Sequence, residues 1–504
     1  MLTRLQVDGF KNLVDIDLRF GPFTCIAGAN GVGKSNIFDA LQFLSYLADR
    51  QIVEAVDLLR GTLGQPVNYN SITDIFRRSS GGAQDTIRLA AEMIIPSQGV
   101  DDLGQSASAT SNFLRYELDL QLVGSADGRN EIKIRREALQ YIRKQDAREY
   151  LLFPHDTSWV NATVYNNRRS GAFISTETQD GMVYVNLHQD GGSRGKPNPF
   201  PADSLPRTIL STVRYASEYP TALLARREMQ RWKFLHLEPT ALRQPNDLDR
   251  VRPNVSVASN GGNLPGTVNR LAVQAQRGQG SFGDPNALYA TLANRLARLI
   301  PNVRQVRVDR DEKRRTLTLE IQDNDGGLFP ARSLSDGTLR FLALTILQVD
   351  YEENSLICLE EPENGIHPER IPVMIELLED MSFDPQLTAP EVPADWTDLS
   401  QVIINTHSPG VVAEVPLDSL VYVTTRQYRK NGEKFSAAGV RVLPDTWRSA
   451  VAGAQTITMG SLLAYLAPIR PDDSGKQSQR RKKVKDVSPG TLTLFTDTSS
   501  THDA

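Results

Sequence analysis

Residues 28–36 read GANGVGKSN, and the first eight of them fit the pattern G-x-x-x-x-G-K-[S/T] at every fixed position. Glycine at these positions lets successive backbone N–H groups turn toward one point without a steric penalty. Lys34 adds one positive charge, and Ser35 adds a hydroxyl at the start of the next element. N–H groups, ammonium and hydroxyl together predict a cradle for phosphate groups with a magnesium ion beside them.

The residues on either side of this stretch decide whether it is a cradle or only a flexible turn. Before it, FTCIAG at residues 23–28 is a short apolar run that predicts a buried strand. After it, Ile37, Leu41 and Leu44 recur at the spacing of a helix. A helix that starts here directs its positive N-terminal end at an anion. The order strand, glycine loop, helix therefore favours a phosphate-binding loop.

A second stretch, SLICLEEPENGIHPER at residues 355–370, places two carboxylates after a short apolar run. The run predicts a buried strand, and Glu360 and Glu361 stand at its end. One carboxylate can hold Mg²⁺, and the next can orient a water molecule for attack on a terminal phosphate. An acidic turn with solvated charges is the competing interpretation, and the other motifs argue against it.

A third stretch, SLSDGTLRFLAL at residues 333–344, places Ser335 and Gly337 just before a helical apolar pattern. Serine and glycine at the N-terminus of a helix predict a second anion site. A simple helix cap is the alternative, and Ser335 would also serve as one. The position shortly before Glu360 makes the anion site the more specific interpretation.

A fourth stretch, QVIINTHSPG at residues 401–410, ends an apolar strand at Thr406 and His407. A histidine at a strand end beside a nucleotide can contact the terminal phosphate and respond to its loss. A lone histidine is more often a polar residue with its hydrogen bonds satisfied. The order of the motifs along the chain favours the functional interpretation for His407.

The composition is that of an ordinary globular protein of 504 residues with a formal net charge of −4. This charge provides no global attraction to nucleic acid, although a local basic patch stays compatible with it. The two cysteines lie in apolar runs, so a reducing cytoplasm is the expected compartment. We expect no signal peptide and no membrane span, because no apolar run is long enough.

The chain is expected to divide into four regions. Residues 1–85 carry the glycine loop, and residues 86–280 form an antiparallel β region with an inserted region of helices and loops. Residues 281–465 carry the other three motifs. Residues 466–504 are a polar tail that we expect to be disordered.

Taken in order, the motifs resemble those of ABC-type ATPases: Walker A at Gly28–Ser35, the signature at Leu334–Thr338, Walker B at Leu356–Glu361 and a switch histidine at His407. The separation of 300 residues between Lys34 and Leu334 resembles the split arrangement of the SMC, RecF and OLD group. The residues within and around the motifs resemble still more closely those of the bacterial AAA family ATPases of the AAA-21 type. The resembling stretches, within residues 2–409, are LQVDGFKNL, GANGVGKSN, SITDIF, WKFLHLEP, GGNLPG, LSDGT, EEPENGIHP and NTHSP.

The resemblance implies an α/β fold, with an ABC-type P-loop ATPase head of mixed sheet and flanking helices, an antiparallel β subdomain and an inserted middle region. It implies ATP and Mg²⁺ as cofactors. Glu361, His407 and Lys34 would be catalytic, and Ser35 and Glu360 would hold the metal, Glu360 where many ABC proteins have aspartate. The nucleotide contacts would come from Asn30, Gly31, Gly33, Lys34, Ser35, Asn36, Ser335 and Gly337.

The resemblance also implies an ATP-dependent homodimer or higher homo-oligomer. Ser335 and Gly337 of one protomer would contact the γ-phosphate held by the other, and Asn364 would fall in the D-loop region. The Q-loop residue stays open among Gln65, Asn68 and Asn70. OLD-type proteins carry a Toprim nuclease, but no acidic pair after His407 forms the D-x-D pattern that such a nuclease needs.

Three functions are compatible with these observations. The first is an ATP-hydrolysing switch that works with a separate effector, a nuclease or toxin, in anti-phage defence. The second is a RecF-like DNA repair or maintenance ATPase that binds DNA through a basic stripe. Candidates for that stripe are Arg135, Arg136, Arg143, Lys144, Arg226, Arg227, Arg231 and the run at residues 480–485. The third is a scaffold that binds ATP with little turnover.

Overall fold

The computed structural model describes most of the chain. The described residues are 1–59, 69–79, 82–124, 130–166, 171–190, 197–250, 256–279, 282–350, 356–386, 399–430 and 433–466. The basic run at residues 480–485, and all but the first residue of the tail expected to be disordered, lie outside them.

The strands of the described part are, in chain order, β1 Leu2–Asp8, β2 Ile16–Arg19, β3 Phe23–Ala27, β4 Arg78–Ser79, β5 Gly82–Ala83, β6 Thr86–Ile94, β7 Gln98–Val100, β8 Ser106–Ser108, β9 Phe113–Gly124, β10 Asn130–Tyr141, β11 Ile174–Gln179, β12 Met182–Leu187, β13 Asn198–Pro201, β14 Lys233–Leu235, β15 Asn246–Asp247, β16 Val303–Asp311, β17 Thr316–Asp323, β18 Leu328–Pro330, β19 Leu356–Glu360, β20 Gln401–Thr406, β21 Leu420–Lys430 and β22 Glu433–Val442.

The helices of the described part are α1 Lys34–Leu47, α2 Ile52–Leu58, α3 Ala147–Tyr150, α4 Thr157–Thr163, α5 Pro220–Gln230, α6 Pro239–Leu242, α7 Leu264–Gln276, α8 Pro285–Leu299, α9 Asp336–Val349, α10 Ile371–Asp380, α11 Pro409–Glu414 and α12 Met459–Leu466. None of these helices combines the length and the apolar character that crossing a bilayer requires.

The central sheet has six strands in the order β14-β19-β20-β3-β21-β22. The first five run parallel, and β22 returns antiparallel to β21. Every residue of β3 and β20 is buried, as expected for parallel strands that are covered on both faces. Because side chains alternate along a strand, Ile26 packs into one core, whereas Cys25 and Ala27 pack into another.

Helix α1 and a second sheet pack on one face of the central sheet and share a core with it. The second sheet is antiparallel and has the order β13-β12-β11-β10-β9-β6-β1-β2. It therefore joins the first strands of the chain to strands from residues 86–201. Phe43 of α1, Leu118 of β9 and Leu223 of α5 belong to the same buried core.

The other face of the central sheet is covered by helices. Residues of α7 to α11 share a second core with the inward side chains of β3, β19 and β20. A small sheet of β15, β16, β17 and β18 adjoins this core. The mixed α/β architecture with an antiparallel sheet, predicted from the sequence, is confirmed. The division at residues 85, 280 and 465 stays a prediction.

Candidate functional site

The carboxyl ends of three parallel strands bring the sequence motifs together. β3 ends at Ala27 before the glycine loop, β19 ends at Glu360, and β20 ends at Thr406 before His407. In the register of the sheet, Glu360 lies opposite Asn405, and Thr406 lies opposite Ala27. Side chains that follow these strands therefore meet at one edge of the sheet, the usual ligand site of a parallel α/β sheet.

The glycine loop requires glycine at two positions for reasons of space and backbone conformation. Gly28 has a φ of 154°, and a Cβ there would lie 2.3 Å from the carbonyl oxygen of Val423. Gly33 has a φ of 115°, and its Cβ would lie 2.7 Å from Oδ1 of Asn12. Any other residue would be strained and crowded at both places. Glycine at these two positions is thus a geometric requirement of this loop in this fold.

Lys34 is the buried first residue of α1, and its ammonium group folds back over the loop. Its Nζ donates to the carbonyl oxygens of Gly28 and Ala29, at 2.8 Å each. Burial lowers the pKa of Lys34, while the carboxylates of Glu361 and Glu363 act in the opposite direction. The ammonium group thus lies between the loop and the acidic side of the site, where a phosphate would be shared between them.

A support for the loop comes from Asn12, which the sequence interpretation did not assign to the site. Asn12 Oδ1 accepts a hydrogen bond from Asn36 Nδ2 at 2.7 Å, and its Nδ2 donates to the Val32 carbonyl at 3.2 Å. Its own carbonyl accepts from the backbone N–H of Ala438 at 2.9 Å. Asn12 therefore ties the glycine loop and the start of α1 to β22.

The carboxylate of Glu361 is held from both sides. His407 Nδ1 lies 2.7 Å from Oε1, and Asn364 Nδ2 donates to Oε2 at 2.7 Å. Burial alone would raise the pKa of Glu361, but the hydrogen bonds of Asn364 and His407 and the charge of Lys34 hold this pKa below its usual value. Its φ of 44° is rare for a residue with a side chain and is typical of strain stored at a functional site. Glu361 is therefore an oriented, ionised carboxylate.

The histidine is itself anchored by its backbone. Tyr465 of α12 donates its hydroxyl hydrogen to the carbonyl oxygen of His407 at 2.7 Å. The carbonyl oxygen of Asn405 accepts the N–H of Glu361 at 3.1 Å. The ends of β19 and β20 are thus locked to each other, and the Glu361–His407 contact has a rigid frame.

A further acidic residue, Glu363, enters the site without having been predicted. It is buried, and its Oε1 accepts the hydroxyl hydrogen of Thr406 at 2.5 Å. Burial raises the pKa of Glu363, and among the described residues its Oε2 has no hydrogen-bond partner. Glu360 and Glu361 are marked in the sequence by the end of the apolar run, whereas Glu363 is not. That Glu363 is buried follows only from the fold.

Glu360 and Ser35 are the residues with the chemistry for a metal ion. Burial raises the pKa of Glu360, although His236 and Asn405 act in the opposite direction. Ser35 is exposed at the start of α1. No group of three or more potential ligands from His, Cys, Asp and Glu gathers within the described part of the chain. One carboxylate and one hydroxyl oxygen fit Mg²⁺, which usually takes its remaining ligands from phosphates and water.

The signature stretch forms the start of α9. Ser335 caps this helix, because its Oγ accepts the backbone N–H of Thr338 at 3.2 Å. A Cβ on Gly337 would lie 2.8 Å from the carbonyl oxygen of Gly365, so α9 approaches the turn after β19 closely. Within the described residues, no hydrogen bond joins Ser335 or Gly337 to the glycine loop of the same chain.

Four of the basic residues considered for a DNA surface are paired with carboxylates or buried. Arg135 pairs with Asp203 at 2.7 Å, Arg136 with Glu117 at 2.5 Å, and Arg227 with Asp102 at 3.0 Å. Arg226 is buried and donates to the Ala48 and Val213 carbonyls. These four residues therefore provide no free basic stripe. The residues left open for the Q-loop, Gln65, Asn68 and the side chain of Asn70, lie outside what the structure describes.

A protein-family model matches residues 23–93 and 194–413, which is more than half of the chain. The family is AAA_21, described as "AAA domain, putative AbiEii toxin, Type IV TA system". Among curated proteins, the chain is 52% identical over 44 residues to the OLD nuclease of Thermus scotoductus. It is 43% identical over 47 residues to the DNA replication and repair protein RecF of Porphyromonas gingivalis.

These alignments are short. The OLD nuclease alignment covers 9% of this chain and 8% of that protein, and the RecF alignment covers 9% and 13%. A solved structure of an SMC head bound to the C-winged helix domain of ScpA aligns over 88% of this chain and 98% of its own, with 14% identity and a TM-score of 0.43. The SMC head domain of Thermotoga maritima aligns over 88% and 98%, with 13% identity and a TM-score of 0.35.

Proposed function

The chain belongs to the AAA_21 family, within the group of ABC-, SMC-, RecF- and OLD-like ATPases, and we propose that it binds Mg-ATP and hydrolyses it to ADP and phosphate. One observation carries this proposal: Glu361 is fixed between His407 and Asn364, at 2.7 Å from each, at the sheet edge that also holds the glycine loop. An oriented carboxylate beside a phosphate-binding lysine is the arrangement that in-line attack of water on a phosphoryl group requires.

Each residue has a defined part in this proposal. The backbone of the glycine loop and Lys34 bind the β- and γ-phosphates, and Asn30, Gly31, Gly33 and Asn36 complete the loop around them. Glu361 accepts a hydrogen bond from the attacking water and takes up its proton. His407 holds Glu361 in place and faces the γ-phosphate. Ser35 and Glu360 would hold Mg²⁺, which when bound would neutralise phosphate charge.

We propose further that two copies of the chain close around ATP, and that Ser335 and Gly337 of one copy contact the γ-phosphate held by the other. The N-terminus of α9, with its serine hydroxyl and its helix dipole, suits an anionic partner. Within the described residues it makes no hydrogen bond to the glycine loop of its own chain, which leaves it for a second molecule.

The biological role we propose is a switch that acts with a separate effector, a nuclease or toxin, in anti-phage defence. The description of the family, which refers to a toxin and a type IV toxin–antitoxin system, supports a partnership of this kind. A RecF-like role in DNA maintenance receives less support, since Arg135, Arg136 and Arg227 are paired with carboxylates. A scaffold that binds ATP with little turnover is also less well supported, because ATP binding alone does not require the fixed carboxylate of Glu361.

The test replaces Glu361 by glutamine, which keeps the shape of the side chain and removes its ability to take up a proton. We expect kcat for ATP hydrolysis to fall by about 10² to 10⁴ while ATP binding persists, and light scattering to detect a stable dimer in Mg-ATP. Lys34→Ala should abolish ATP binding and dimer formation together.

The matched control is Glu369→Gln, which makes the same change at an exposed carboxylate a few residues away. It should retain the kcat of the wild type. Unchanged turnover in Glu361→Gln would overturn the catalytic assignment. A monomer of Glu361→Gln in saturating Mg-ATP would overturn the proposed dimer.

A further inference from the structure

A histidine outside the four motifs, His236 in the stretch WKFLHLEP, lies beside the carboxylate assigned to the metal. β14 runs parallel to β19, with Leu235 opposite Leu359, so the next residues, His236 and Glu360, leave the sheet side by side. Nδ1 of His236 lies 3.5 Å from Oε2 of Glu360. The backbone N–H of His236 donates to the Ser259 carbonyl at 2.7 Å, which fixes the position of its Cα.

The two oxygens of Glu360 face different neighbours. On the side of β20, Asn405 Nδ2 donates to Oε1 at 3.3 Å. On the side of β14, the other oxygen faces the imidazole at a separation longer than an ordinary N–H···O hydrogen bond. The imidazole side chain is 56% exposed, so more than half of the ring faces solvent rather than packed groups. Oε2 and Nδ1 are thus two donor atoms with room to act on the same ion.

Their spacing suits two ligands of one metal. Two donor atoms that each lie about 2.1 Å from an octahedral ion, at a right angle to each other, are about 3 Å apart. The observed 3.5 Å is close to this separation. Mg²⁺ favours an all-oxygen shell, whereas imidazole suits transition metals. A carboxylate, an imidazole and phosphate oxygens would form a mixed shell that accepts Mn²⁺ more readily than Mg²⁺.

We propose that His236 is a metal ligand at this site and sets its preference among divalent cations toward Mn²⁺ or a similar transition metal. This inference rests on the proposed function, because the nucleotide supplies the remaining ligands. It adds a residue and a specificity that the motifs do not contain, since the motifs lead only to Mg²⁺ at Ser35 and Glu360.

The experiment measures metal binding rather than turnover. The full chain, with a non-hydrolysable ATP analogue, is titrated with Mn²⁺ while electron paramagnetic resonance follows the free ion, and Mg²⁺ is then added as competitor. His236→Gln should reduce the preference for Mn²⁺ over Mg²⁺ by about tenfold. Pulsed measurements on bound Mn²⁺ should detect an imidazole nitrogen in the wild type and lose it in His236→Gln.

The matched control is His367→Gln, the same replacement at a histidine that is 66% exposed and lies 3.8 Å from an exposed carboxylate, Glu369. It should keep both the preference and the nitrogen signal. His236→Asn serves as a second variant in case glutamine destabilises the segment that follows β14. It should also lose the nitrogen signal of the imidazole. Equal nitrogen signals and equal preferences in wild type and both His236 variants would overturn the inference.

Failure of the underlying function would look different. If the wild type bound no more Mn²⁺ with the nucleotide than Lys34→Ala does, both the ATP site and the role of His236 would be refuted. Normal nucleotide-dependent Mn²⁺ binding without an imidazole nitrogen would refute the role of His236 alone.

Discussion

A buried carboxyl group outside the candidate site should contribute to the pH dependence of stability in one interval. Glu137 of β10 is fully buried. Its Oε2 accepts the N–H of Ile209 at 2.7 Å, and its Oε1 accepts the N–H of Leu210 at 2.8 Å and the hydroxyl of Tyr116 at 3.2 Å. Glu137 therefore ties the segment before α5 to the antiparallel sheet.

Burial raises the pKa of Glu137 from 4.5 to about 7, against the three hydrogen bonds, which act in the opposite direction. Between these pH values the folded chain keeps a proton that the unfolded chain has released. Unfolding then releases a proton, so the free energy of unfolding falls as the pH rises. At about 1.4 kcal/mol for each pH unit, the loss over the interval is about 3 kcal/mol.

The perturbation is Glu137→Gln, whose side chain does not titrate. The amide must place its NH₂ group toward one of the two backbone N–H donors, so the variant carries a constant cost of about 1–3 kcal/mol. The informative quantity is the difference in unfolding free energy between wild type and variant. It should change by about 3 kcal/mol in favour of the variant as the pH rises from 4.5 to about 7.

Urea unfolding followed by circular dichroism at several pH values across this interval measures that difference. Hydrogen exchange of the segment around Ile209 and Leu210 localises it, since these two N–H groups are the donors. Glu177→Gln, at an exposed position on the neighbouring strand β11, is the matched control and should give a flat difference. If the difference in unfolding free energy between wild type and Glu137→Gln also stayed constant with pH, the raised pKa of Glu137 would be refuted.

Two further predictions concern the candidate site. Gly33→Ala would place a methyl group 2.7 Å from Asn12 Oδ1, so calorimetry should show ATP affinity falling by at least about tenfold. Gly31→Ala, whose Cβ would meet nothing within 4 Å, should lose less, and equal losses would contradict the steric explanation. Asn364→Ala removes the hydrogen bond to Glu361 Oε2 and should lower kcat by about tenfold with KM unchanged; a change in KM alone would show that Asn364 acts on binding instead.

The parts of the fold and site that the sequence predicts are those with a local signal. A phosphate-binding glycine loop has a buried strand before it and a helix after it. Both can be predicted here, because β3 is a short apolar run and α1 has apolar residues at helical spacing. Glu360 and His407 were predicted at strand ends, and parallel pairing of β19 with β20 then brings those ends together. Strand ends carry this information because parallel strands share one carboxyl edge.

The parts that sequence reasoning missed depend on pairing between distant segments. Asn12 supports the glycine loop only because β22 and α1 both approach it. His236 reaches Glu360 only through the register of β14 against β19. Glu363 is distinguished from its neighbours only by Thr406, which belongs to another strand. Each of the three lies in a stretch that resembles the family, LQVDGFKNL, WKFLHLEP or EEPENGIHP, but nothing within that stretch assigns the residue to the site.

The signature serine shows that two sequence interpretations can hold for the same atom. As a helix cap, Ser335 Oγ uses a lone pair to accept the N–H of Thr338. A phosphate oxygen is an acceptor, so it would need the hydroxyl hydrogen of Ser335, which the cap does not use. The hydroxyl oxygens of Ser335 and Thr338 lie 2.9 Å apart, and either can donate to the other. When Thr338 donates, the hydroxyl hydrogen of Ser335 can point to an incoming anion. The cap is therefore compatible with the proposed phosphate contact of Ser335 and does not compete with it.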